Sequence, residues 1–322
     1  MGTLLNRRRY MGGVFEKPET RLVCVYNVSD DSVNTTIINS SKVSSVSSVE
    51  IDGMTQQTVS YEYPLSTGEH VVKIMLTNMV TMPDGIFQNV TALTECRIPS
   101  SFTSIGATAF DGCSGLTGIY IPKSVMTIHN YAFRGCSSLS IVHIEDIEAW
   151  CKVIIMYNNA ETNPLNGGRH LYLNGEEIIN LVVPAGITSL EKQFWGARYI
   201  ESVQLPNTIT RLNAFTFRDC RGLKNINFPE GIISIGSMCF DETNLSSFIL
   251  PSTLTTIADY AFRNNRTLSS ITCLAITPPT IGSSTFYATN NCPIYVPSES
   301  VEAYKAAQYW SSLASRIQAI PT

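Results

Sequence analysis

Apolar and polar positions recur along this chain with a period close to 23 residues. Phe87, Phe110 and Phe133 are 23 apart, Phe194, Phe217 and Phe240 are again 23 apart, and Phe262 and Phe286 follow at 22 and 24. Pro99, Pro122, Pro206, Pro229 and Pro251 each follow an apolar residue and precede one of these rings by eleven residues. The clearest copy of the preceding stretch is LTGIYIP, from Leu116 to Pro122. Its I-x-I core alternates at period two, which predicts a strand. Proline ends that strand because it has no N–H for a ladder. Behind it come x-x-[IV]-x-x-I and then x-x-x-A-F-x-x-C, whose Ile and Phe point inward from a return segment. One unit cannot bury these residues alone, so units must stack, with their strands in a parallel sheet along one face. About eight or nine coils at ~4.8 Å spacing give a rod on the order of 40 Å long. The eight rings are expected in one buried column, with Ile105, Ile128, Leu212, Ile235 and Ile257 beside it.

Strand parity also fixes what faces away from the core. One outward row reads Arg97, Tyr120, His143, Val182, Gln204, Asn227, Ile249, Thr272; its neighbour reads Glu95, Gly118, Ile141, Asn180, Ser202, Asn225, Ser247, Ser270. The repeat does not dictate these types, so they are free to serve recognition. Arg97, Tyr120 and His143 place a cation, an aromatic and an imidazole on adjacent coils, suited to a glycan or a polar protein surface through stacking and hydrogen bonds. With Gln204 and Asn227 they form the candidate ligand-binding set. The alternative is an ordinary solvated sheet, since Ser and Asn dominate the later coils.

Around the repeats the pattern changes. Residues 1–13 read as a flexible tail whose Arg7, Arg8 and Arg9 either dock an anionic partner or are simply solvated. Residues 14–76 hold short Val-, Ile-, Tyr- and Thr-rich runs between Asp, Ser and Gly, which predicts a small all-β module. Ser66–Val72 (STGEHVV) is similar to the turn into a strand of immunoglobulin-like modules, and the module is expected to pack end-on against the first coil. Residues 77–290 are the solenoid, interrupted at 145–182 by a longer unit. There Asn174–Gly175 predicts a hairpin. Asp146, Glu148 and Trp150 either line a pocket or mark where Trp150 fills the gap opened by the longer coil. Residues 291–322 predict a short helical cap: Ser298 as helix cap ahead of Val301 and Tyr304, a break near Gln308–Tyr309, then a second face of Trp310, Leu313, Ala314 and Ile317.

Composition narrows the function. Charged residues are 15% of the 322, below the usual quarter, which suits strands and turns rather than long solvated helices. A net charge of −4 leaves no basic excess for nucleic acid. No run of eighteen apolar residues is present, so no membrane insertion is expected. The opening has its charges after its only apolar pair and lacks an h-region, so the expectation is no signal peptide, and a place on a virion or on a surface reached by another export route. The nine cysteines contain no C-x-x-C; Cys113, Cys136 and Cys220 share one repeat position and read as reduced, buried small thiols. A Cys113–Cys136 bridge is the alternative. The four histidines share no metal-ligand spacing, and no phosphate loop or nucleophile motif occurs. No enzyme, metal or cofactor is expected.

The repeat resembles the BspA-type (Treponema-type) leucine-rich repeat family. The resemblance rests on I-x-I-P at Ile119–Pro122, T-x-I-G at Thr103–Gly106 and A-F-x-x-C at Ala132–Cys136, and covers roughly 77–290. The irregular central unit and the closing segment are similar to those of the family as well. The resemblance implies a mainly β solenoid, exposed on a surface and used in adhesion without catalysis, with a protein or glycan on a cell surface as partner. The opening LLNRRRYMGG resembles the start of virion proteins of gut bacteriophages, which implies the alternative of a structural virion component docked to other virion proteins through residues 1–76.

Overall fold

A computed structural model describes residues 20–156 and 160–321. The expected tail and Arg7, Arg8 and Arg9 lie outside the described residues. The chain forms two compact units that meet in sequence at 177/178, inside the long unit of 145–182.

Unit 1 is built on a nine-stranded sheet. In chain order its strands are β1 (Leu22–Val28), β2 (Val46–Ile51), β3 (Met54–Thr55), β4 (Gly68–Leu76), β5 (Leu93–Arg97), β6 (Gly118–Ile121), β7 (Ile141–Ile144), β8 (His170–Leu173) and β9 (Glu176–Glu177). Across the sheet they run β9-β8-β7-β6-β5-β1-β4-β2-β3. β5 to β8 are parallel and come from successive coils. β1 joins β5 antiparallel, with Cys24 opposite Cys96, so the N-terminal strands continue the solenoid sheet rather than abutting its end. The hairpin β8–β9 turns through Asn174 and Gly175, both at positive φ (52° and 89°), as Asn-Gly requires.

The later Ile of each coil makes a second, shorter parallel ladder, where the sequence pattern promised only an inward side chain. In unit 1 it comprises Ser104–Ile105, Thr127–Ile128 and Ile154–Ile155. Between the ladders lies the ring stack Phe87–Phe110–Phe133, centroids 5.3 and 5.4 Å apart and all three rings buried.

Unit 2 repeats the plan. β10 (Asn180–Val182), β11 (Ser202–Gln204) and β12 (Asn225–Ile226) form one parallel sheet. β13 (Ser247–Leu250), β14 (Ser270–Cys273), β15 (Ile294–Val296) and β16 (Ile317–Ala319) form another. Five short strands, from Ser189–Leu190 to Thr280–Ile281, make the second ladder. Phe194, Phe217, Phe240, Phe262 and Phe286 stack at 5.3–5.7 Å, and Trp310 takes the next place, 5.9 Å from Phe286. Phe87, Phe110 and Phe133 thus stack within unit 1, and the other five rings stack within unit 2.

Three coil-to-coil devices accompany the rings. Cys113, Cys136 and Cys220 donate their thiols to the carbonyls of Phe87, Phe110 and Phe194 of the preceding coil, at 2.9–3.1 Å. They are therefore buried hydrogen-bond donors as well as small apolar groups. Thr243 and Asn265 stand at the same repeat position, and Asn265 bonds the Phe240 carbonyl at 2.6 Å. All nine cysteines are free thiols. Next to the rings, Asp111 accepts two bonds from Arg134, and the fully buried Asp241 sits between Arg218 and Arg263. Finally, the backbone turns left-handed on both sides of most rings, at Thr108, Tyr131, Phe215, Met238 and Tyr260 two residues before, and at Asn89, Gly112, Gly135, Asp219, Glu242 and Asn264 two after.

The last stretch departs from expectation in detail. Ser298–Ser300 is a 3-10 turn, the Ser298 hydroxyl bonds Glu299 rather than capping, and the α-helix is Val301–Ala306. The break falls at Tyr309, at φ 61°, followed by a 3-10 helix over Trp310–Arg316. Ile317 belongs to strand β16, because its backbone pairs with Ile294.

Candidate functional site

In unit 1 the register places the predicted outward row side by side. Arg97 pairs with Tyr120 across β5 and β6, and Tyr120 with His143 across β6 and β7. The Arg97 guanidinium lies 5.7 Å from the Tyr120 ring centroid. Tyr120 and His143 are stacked nearly parallel, centroids 4.1 Å apart. The row does not end there. Tyr172 on β8 stands opposite His143 with its ring tilted at 5.1 Å, and Glu145 reaches Arg97 at 3.8 Å. Tyr172 escaped the sequence reading because its strand belongs to the irregular unit and has no proline to mark its end. The Asn174–Gly175 turn two residues on was the signal that could have set its register.

This ladder has a definite electrostatic character. Burial first, then the Arg97 charge, pulls the His143 imidazole down to about 4. His143 is therefore neutral near pH 7 and presents one N–H and one acceptor nitrogen. Burial also pulls the Arg97 guanidinium down, with Glu145 opposing it. Tyr120 has His143 on one face and Arg97 near the other, and His143 lies between two phenol rings. The ring faces are engaged by each other, so edges and polar atoms are what remain to meet a ligand. This revises the expectation of a partner stacked on the rings.

Unit 2 carries the same row in different chemistry. Gln204 and Val182 are register partners, and Gln204 is exposed. Asn227 is exposed, but its amide is engaged: its oxygen accepts from the Leu205 N–H at 2.6 Å and its nitrogen donates to the Leu205 carbonyl at 3.0 Å. That pair continues the ladder one step past the end of β12. Val182 and Ile249 are the large apolar members, 59% and 58% exposed.

Asp146, Glu148 and Trp150 do not make a pocket. Asp146 caps the helix Ile147–Cys151 by accepting from the Ala149 N–H at 2.7 Å, and Glu148 pairs with Lys152. Trp150 is buried and fills the space, leaving a cavity of about 10 Å³. Among the described residues no group of three or more His, Cys, Asp or Glu is placed to hold a metal ion, and no helix is long and apolar enough to cross a membrane.

Comparison with known proteins bears on the repeat. No curated protein matches the chain. Among solved structures, a leucine-rich repeat protein from Bacteroides ovatus aligns with 73% of this chain and 61% of its own, at 20% identity and a TM-score of 0.47. This chain thus spans less than two thirds of that protein. A leucine rich cell surface protein from Faecalibacterium prausnitzii aligns over 64% and 45% at 22% identity and TM-score 0.34. A leucine-rich repeat protein from Eubacterium ventriosum aligns over 64% and 66% at 15% identity and TM-score 0.32. The profile of the BspA type leucine rich repeat region matches six copies over residues 68–155 and 177–313, more than half of the sequence, and the chain belongs to this family.

Proposed function

We propose that the protein is a non-catalytic recognition protein whose outward strand face in unit 1 contacts a protein or glycan on a cell surface. The observation that carries this reading is the in-register row Arg97–Tyr120–His143–Tyr172. The solenoid does not need it: core-facing residues, thiol donors and the Asp–Arg pairs hold the coils together. Repeat folds recruit such undictated positions for binding. The contact is made by the guanidinium, the phenol hydroxyls and the neutral imidazole edge, as hydrogen bonds to a polar surface. Within unit 2, Gln204 is the exposed polar member of the equivalent row, whereas Asn227 serves the backbone. The strands before residue 77 extend the sheet of unit 1 beyond its first coil, and the helical turns after 298 follow the last coils of unit 2.

The test is attachment of the purified chain to intact bacterial and epithelial cells, with a glycan array alongside. The triple variant Arg97→Ala, Tyr120→Ala, His143→Ala should keep the parent's circular dichroism and weaken attachment at least about tenfold. Gln204→Ala should weaken it less. If the triple variant attaches as well as the parent, the face is not the site.

A further inference from the structure

Unit 2 holds a cleft away from its strand row. Where the last ring turn meets the closing segment, a cleft of about 270 Å³ opens among Tyr287, Thr289, Asn291, Tyr309, Ser312 and Arg316. That volume is at the small end for ligand sites and suits one sugar-sized ring. Two tyrosines flank it, 65% and 43% exposed, and neither phenol has a hydrogen-bond partner among the described residues. Their positions are nonetheless fixed. Tyr287 follows Phe286 and Tyr309 precedes Trp310, and those two buried rings touch at 5.9 Å. Trp310 is anchored in turn by its indole N–H on the Pro279 carbonyl at 2.7 Å. Tyr309 is held left-handed at φ 61°, unfavourable for a bulky residue, so the surroundings impose its direction.

Arg316 supplies the specificity. Its Nε donates to the Cys292 carbonyl at 2.8 Å, which fixes the guanidinium plane. Of its terminal nitrogens, one donates to the Cys292 thiol sulfur at 3.4 Å, while the contacts to oxygen, on the Thr289 hydroxyl and the Asn290 carbonyl, are also 3.4 Å and long for N–H···O bonds. Among the described residues no carboxylate lines the cleft. Earlier coils differ: Arg134, Arg198 and Arg263 each have a carboxylate partner at 2.5–2.6 Å. In coils with Arg218, Asp241 and Arg263, the residue after the ring joins that charge ladder, whereas Tyr287 at the same place faces the cleft. An anchored guanidinium with under-used donors, beside two tyrosines and the hydroxyl and amide groups of Thr289, Ser312 and Asn291, matches a ring that carries both hydroxyls and a carboxylate. We propose that this cleft binds one acidic monosaccharide unit, its carboxylate on Arg316 and its ring between Tyr287 and Tyr309. The proposal stands independently of the strand face in unit 1.

Saturation-transfer NMR on the full chain tests it, with methyl β-glucuronide, methyl α-galacturonide, methyl α-N-acetylneuraminide and the neutral methyl β-glucoside as probes. At least one acidic sugar should saturate, and the glucoside should bind at least about tenfold more weakly. Tyr287→Ala, at a largely exposed position, and Arg316→Gln should each weaken binding by at least about tenfold. Failure of every acidic sugar to bind, equal binding of the glucoside, or unchanged binding in Tyr287→Ala would each overturn the proposal.

Discussion

Single residues in this chain do more than their repeat letters say. The shared cysteine position holds a thiol in Cys113, Cys136 and Cys220 and an amide in Asn265, each a buried donor to the backbone carbonyl of the preceding coil's phenylalanine, whereas the Thr243 hydroxyl at that position donates to the Phe240 carbonyl of its own coil. The same separation of pattern from role shows at His143. In an unfolded chain its imidazole titrates near the ordinary value of about 6.5. In the fold, burial and Arg97 bring it down to about 4. Between these values the unfolded chain binds more protons than the folded one, so stability rises with pH across that window. The His143 contribution is therefore complete above about pH 6.5 and is lost as pH falls towards about 4. Imidazole carbon shifts of His143 should stay those of the neutral ring down to about pH 5, and replacing His143 by Phe should flatten the fall in urea midpoint between pH 6.5 and 4.5. A His143 resonance that titrates near 6.5 in the folded protein would show that the ring is not held within the ladder.

At the scale of elements, what was legible were the strands that end in proline and the parity of their side chains. Arg97, Tyr120 and His143 lie side by side as period two requires, since every coil that contributes them has the same length. Three features were not legible. The second ladder is two residues per coil, too short for alternation to show. The left-handed turns fall on Thr, Tyr, Phe and Met as often as on Gly, so no glycine signal marks them. The junction of β1 with β5 is a long-range pairing, which no local pattern encodes. That junction has a consequence. Cys24 lies opposite Cys96 with both side chains fully buried, so removing residues 1–76 bares the backbone edge of β5 and the apolar residues beneath it. Exposed edges of this kind pair with other chains. The 77–322 product should elute as oligomers or aggregate where the full chain does not, as light scattering would show; a monomeric, soluble product would mean that β1 is only an accessory to the sheet.

For the whole molecule, stacking makes stability a sum of neighbour terms, so damage at one coil should spread by contact and fade. Phe217 gives the sharpest test. It is fully buried, stacked between Phe194 at 5.7 Å and Phe240 at 5.6 Å, and the adjacent Cys220 thiol is bonded to the Phe194 carbonyl. Phe217→Ala removes a ring that neither neighbour can replace, because each is held by its own coil, and the cost should be about 3–5 kcal/mol. The loss should not be uniform. Amide protection by hydrogen exchange should fall most in the coils of Phe194, Phe217 and Phe240, less at Phe262, and least at Phe286, where Trp310 continues the stack. The ladder Arg97–Tyr120–His143 belongs to the other compact unit, so its amides should keep most of their protection. An equal drop at every protected amide from β1 to β16 would show instead that the chain opens as one cooperative body, and that the ring stacks do not set its units of stability.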